Sequence, residues 1–168
     1  MNKKTHNGEV YPENWPEVYT WLGKLNFLIN GKIPAYAGRC TTTASKRISG
    51  VAYSGSSYRN LRPIGGMDVD LVDSKVCDIL EYEGRGYLRP SASVKYQEQA
   101  AINTIKKAEE IFPDNFLVLN WADGCSQKPL AKARFEKWTE QHNDGYDYYP
   151  SWFEKIVRIV AERIKLHD

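Results

Sequence analysis

The sequence predicts an α+β domain: a small, mostly antiparallel central sheet with flanking helices and a C-terminal amphipathic helix. Three observations carry that expectation. Short aromatic and β-branched runs separated by turn residues fill the first half of the chain. A long Ala- and Ile-rich helical pattern follows, then one more strand-like run, "FLVLNW". The chain closes on "PSWFEKIVRIVAERIKL", which has helical periodicity. At 168 residues, a single domain over 1–168 is expected, with a core of about 18–122 and a helical extension over 130–168.

In order along the chain, "WPEVYTWLGKL" reads as a short helix with proline at its start or as an aromatic strand. "LNFLI" and "KIPAYAG" flank Asn30-Gly31, a pair suited to a tight hairpin because both turn positions need positive φ. "TTTASKR" suggests a loop or a short helical turn, and "ISGVAYSG" has strand composition. "MDVDLVD" and "VCDILEYE" read as two strands parted by Ser74-Lys75, with Asp68 and Asp70 on one face of the first. "SASVKYQEQAAINTIKKAEEIF" is the clearest helix, capped by Ser93 and ended by Pro113. Along it Glu98 falls in line with Ile102, Ile105 and Phe112, an unusual place for a carboxylate. The last helix offers a capping box from Ser151 to Glu154 and an apolar stripe of Ile156, Ile159, Val160 and Ile164.

Composition narrows the function. An apolar share of 42% argues against disorder, and no apolar run is long enough to cross a membrane. The N-terminus lacks a signal-peptide core. Cys40, Cys77 and Cys125 are odd in number without CxxC spacing, which suggests free thiols and a cytoplasmic setting. His6, His142 and His167 are too scattered for a zinc site. Net charge is only +2, but its distribution is uneven. From Lys32 to Met67 there are six basic residues, Arg39, Lys46, Arg47, Arg59 and Arg62 among them, and no carboxylate. Such a stretch can hold phosphates without internal competition, and segregation by chance in a short window is the alternative.

Three resemblances bear on chemistry. "GSSYRNLRPIGGMDVDLV" resembles the signature of polymerase-β-like nucleotidyltransferases, which implies a triphosphate near the Gly-Ser pair and magnesium on Asp68 and Asp70. "MDVDLVDSKVCDILEYEG" resembles the metal-binding hairpin of the restriction-endonuclease fold, with Asp68 or Asp70 and Glu81 as ligands and Glu83 in place of the usual lysine. The third resemblance spans about 18–121. "KIPAYAG" is similar to the second half of the GIY-YIG nuclease motif, with Tyr36 and Gly38 in the Tyr-x-Gly positions. "SSYRNLR" is similar to the segment carrying that family's arginine, Arg59 or Arg62, with Tyr58 beside them. "EQAAINTI" resembles the helix bearing its single metal-binding glutamate, Glu98, and "VLN" the segment supplying its asparagine, Asn120. The place of the family's first tyrosine stays open between Phe27 and Tyr19, and Pro63 and Ile64 stand where a His or Tyr is usual.

The third resemblance implies a magnesium-dependent endonuclease that hydrolyses DNA phosphodiester bonds, of restriction or phage-defence type. Tyr36, Arg59 or Arg62, and Glu98 would be catalytic, with Glu98 holding Mg2+. Arg39, Lys46, Arg47, Tyr58 and Asn120 would meet the substrate, and cutting both strands implies a homodimer by analogy of fold. The chemistry is coherent: a tyrosine serves as general base, one carboxylate holds one metal, and a guanidinium offsets charge on the phosphate. The alternatives are a nucleotidyltransferase working through Asp68 and Asp70, and a non-catalytic module binding nucleic acid or protein. The aromatic run "HNDGYDYYPSW" at 142–152 suits such a module, or simply packs on the core.

Overall fold

The computed structural model describes residues 3–12, 15–41, 43–50, 69–77, 92–120 and 148–167. They form an α+β unit around a four-stranded mixed sheet. A small hairpin comes first: β1 (Lys3–His6) pairs antiparallel with β2 (Glu9–Pro12). Its turn is Asn7-Gly8, with φ of 50° and 83°, the left-handed pair that a tight hairpin requires.

The central sheet has β3 (Glu17–Gly23) and β4 (Ile33–Cys40) in its middle, antiparallel from Glu17↔Cys40 to Leu22↔Ala35. So "EVYTWLG" is the strand, and "LNFLI" is not. Asn30 and Gly31 do make the expected turn, at φ 53° and 76°, but it closes only the Ile29↔Lys32 bridge. Burial decides between the two partners. All seven residues of β3 are buried, whereas Leu25 and Leu28 stay 44% and 42% exposed in the connection. A strand sandwiched on both faces outweighs a local hairpin whose apolar residues would remain wet.

β5 (Val69–Val76) pairs antiparallel with the other edge of β3, from Glu17↔Val76 to Gly23↔Val69. It runs unbroken through Ser74-Lys75, so the expected turn there does not form. A register shift opposite Thr20 and Trp21 leaves Val72 as an extra residue. Ahead of the bulge the pairing is regular, with Val69 buried, Asp70 exposed and Leu71 37% exposed at the sheet edge. The first three residues of "ISGVAYSG", Ile48, Ser49 and Gly50, finish α1 (Ala44–Gly50) instead, and the rest of that run lies outside the described residues. Thr43 caps α1 by accepting the Lys46 amide at 3.2 Å.

α2 (Ala92–Ile111) matches the long helical pattern, although it begins early enough to put Ser93 inside the first turn. The chain then reverses through 113–115 into β6 (Phe116–Val118), which lies parallel to β4. α3 (Pro150–His167) closes the description, and because it starts at Pro150 the expected cap, Ser151, is already helical.

Strand alternation divides the core in two. Val18, Leu22, Ile33, Ala35 and Ala37 face α2 and α3, meeting Ala101, Ile102, Ile105, Trp152, Ile156 and Val160. Tyr19 and Trp21 point the other way, with Tyr36 and Leu119, against Ala44 and Ile48 of α1. The C-terminal helix is thus part of the main core rather than an appendage.

Candidate functional site

The chemistry-bearing residues converge on β4. Its sequence Tyr36-Ala37-Gly38-Arg39 alternates between the two faces, which decides what each residue can reach. Tyr36 and Gly38 lie on the α1 face. The Tyr36 ring stands 5.8 Å from Trp21 and 6.5 Å from Tyr19, centroid to centroid. Gly38 pairs with Tyr19 across the ladder, and a Cβ at Gly38 would come within 2.9 Å of both the Tyr19 hydroxyl and Tyr36 Cε1. Glycine is required there because a tyrosine ring lies over the backbone. In this register Tyr19, and not Phe27, is the residue that pairs with Gly38 on the neighbouring strand. The signal was present in "EVYTWLG", but the Asn30-Gly31 turn drew the register elsewhere. Tyr19 is buried and Tyr36 half-buried, so Tyr36 is the more accessible of the two residues.

Ala37 and Arg39 lie on the α2 face. Asn120, just past β6, holds both polar groups of Ala37: its Oδ1 accepts the Ala37 amide at 3.2 Å and its Nδ2 donates to the Ala37 carbonyl at 2.8 Å. The side chain thereby continues the β4–β6 ladder one step beyond the last strand residue. Arg39 approaches Glu98 of α2, with Nε 3.7 Å from Oε2. Glu98 is therefore where its odd place on the helix implied, turned inward beside Ile102 and Ile105, with its side chain 16% exposed. Tyr36 and Glu98 lie on opposite faces of β4, and the described residues do not bring them together.

The remaining candidates separate. Lys46 is exposed on α1, and Arg47 lies on the same helix. Arg59, Arg62, Tyr58, Asp68 and Glu81 lie outside the described residues, as does most of the aromatic run. Asp70 is exposed on the edge strand β5. Its carboxylate interacts electrostatically with Arg163 of α3, whose guanidinium donates to the Gly23 carbonyl. Burial lowers the Arg163 pKa from its usual value, and Asp70 partly restores it. Tyr148 and Tyr149 are packing residues. Tyr149 lies 4.5 Å from the Trp152 ring and Tyr148 lies 5.9 Å from Phe153, with Lys107 over Tyr148 at 4.9 Å.

A second polar cluster braces the end of the sheet where Glu17 pairs with Cys40. Lys4 pairs with Glu17 at 2.9 Å, both side chains almost wholly buried, and also donates to the Trp15 carbonyl. The other Glu17 oxygen accepts the Ala44 amide at the start of α1, at 3.5 Å. His6 meets Ser74 of β5 at 3.3 Å. The N-terminal hairpin is thus pinned to both the sheet and α1.

Among the described residues no three His, Cys, Asp or Glu side chains cluster as metal ligands. Glu98 alone suits a magnesium ion that keeps most of its water and shares substrate phosphate, since such ions need only one or two carboxylates. No helix among the described residues is long and apolar enough to cross a membrane. No family model, curated protein or solved structure matches the chain.

Proposed function

We propose that the chain is a magnesium-dependent endonuclease hydrolysing DNA phosphodiester bonds, built on the GIY-YIG plan. The observation that carries the reading is the run of β4: the strand bearing Tyr36 and Gly38, paired with Tyr19, continues directly into the arginine that faces Glu98. A half-buried carboxylate near a guanidinium is a sound place for a hydrated divalent ion and a phosphate. Glu98 would hold the ion, which supplies charge neutralisation at the scissile phosphate. Arg59 or Arg62 would contact the phosphate, while Lys46 and Arg47 would meet the DNA backbone from α1.

Incubating supercoiled plasmid with the protein, with and without Mg2+, tests this. Wild type should nick the plasmid only with the metal. Glu98→Gln should slow nicking by about a hundredfold or more, because several kcal/mol of charge stabilisation is lost. Asp70→Asn should cut at nearly the wild-type rate. Activity that survives Glu98→Gln but disappears with Asp70→Asn would move the site to β5 and favour the hairpin reading that pairs Asp70 with Glu81.

A further inference from the structure

The contact between Arg39 and Glu98 is an unusual ion pair. At 3.7 Å it is too long for a hydrogen bond, and it engages Nε rather than the paired terminal nitrogens that grip a carboxylate bidentately. One of those terminal nitrogens, Nη1, is buried and has no hydrogen-bond partner among the described residues. The guanidinium therefore balances the charge of Glu98 without spending its best donors on it. Side-chain exposure of 34% for Arg39 and 16% for Glu98 leaves the pair within reach of solvent.

We propose that Arg39 and a divalent cation exchange at the Glu98 carboxylate, and that the displaced guanidinium is then free to grip a phosphate of the substrate. This rests on the nuclease reading above. The charge balance drives it. With Arg39 alone the pair is neutral and offers little to an anion. With a divalent ion on Glu98 the same cluster carries two excess positive charges. The ion repels the guanidinium, and a phosphate entering the cluster relieves that repulsion. Metal and nucleic acid consequently bind with positive coupling, each strengthening the other by the same factor. Arg39 acts in this scheme as a placeholder beside the half-buried carboxylate until the ion arrives.

Mn2+ titration of the intact protein, read by electron paramagnetic resonance without DNA, separates the parts. Glu98→Gln should abolish the site. Arg39→Gln should tighten Mn2+ binding by about three- to tenfold, because the competing cation is gone, and Arg39→Lys should stay close to wild type. Anisotropy of a fluorescein-labelled mixed-sequence duplex, in EDTA and in Ca2+, should show a metal-dependent gain in wild type that Arg39→Gln loses. Circular dichroism identifies any variant that fails to fold, and Arg39→Lys then carries the comparison. If Mn2+ binds through Glu98 but Arg39→Gln leaves the affinity unchanged or weaker, the exchange is wrong while the metal site stands. If Mn2+ binds neither wild type nor Arg39→Gln, the nuclease reading falls and takes the exchange with it.

Discussion

Lys4 and Glu17 make the highest-stakes contact between single side chains. Both are buried, so removing one leaves the other charged and uncompensated. Glu17→Ala should cost about 3–5 kcal/mol in urea unfolding, whereas replacing both by well-packed apolar residues should cost far less. Thr20 presents the opposite case. It is fully buried in β3, and its hydroxyl has no partner among the described residues. Thr20→Val should therefore raise Tm by about 2–4 °C in a calorimetric scan, reflecting roughly 1 kcal/mol. Single residues were only partly legible in the sequence. Glu98 stood out because a carboxylate in line with core isoleucines breaks helical amphipathicity. The pairing of Lys4 with Glu17 left no such trace, since nothing in a strand pattern announces that a lysine turns inward.

Among the elements, Gly38 sets the closest constraint on the candidate site. A methyl group there would press on both tyrosines at 2.9 Å. Gly38→Ala should destabilise the domain by about 1–3 kcal/mol and shift the tyrosine fluorescence, a signature of the displaced Tyr19 and Tyr36 rings. Helices were the most readable elements. Their 3.6-residue apolar period survives whatever packs against them, and both α2 and α3 fall where "SASVKYQEQAAINTIKKAEEIF" and "PSWFEKIVRIVAERIKL" place them. Strand pairing was less readable. The Asn30-Gly31 turn forms as its φ angles demand, yet the strand paired with β4 lies further back because burial, a property of the whole sheet, chooses it. The same turn chemistry at Asn7-Gly8 marks a real hairpin that was not anticipated. Ser74-Lys75 looked like a break between two strands, yet β5 runs through it, and the bulge at Val72 carries no local signal.

For the molecule as a whole, the core joins segments from both ends of the chain. Trp152, Ile156 and Val160 of α3 are almost fully buried against α2 and the sheet. Each contributes roughly 1.5–3 kcal/mol, so together they rival the net stability of a small domain. A chain cut after residue 122 should therefore give a broad, non-cooperative thermal transition by circular dichroism, where the full chain gives a sharp one. That outcome would make the expected core of 18–122 shorter than the folding unit, a dependence that the sequence did not announce while the α+β class was readable. The grip of Asn120 on Ala37 has a consequence for how that unit opens. The two residues are joined only through the long crossover that carries α2, so the bond exists only while β6 is docked. In a hydrogen-exchange experiment the Ala37 amide becomes a built-in reporter: its rate of deuterium uptake clocks the undocking of the crossover.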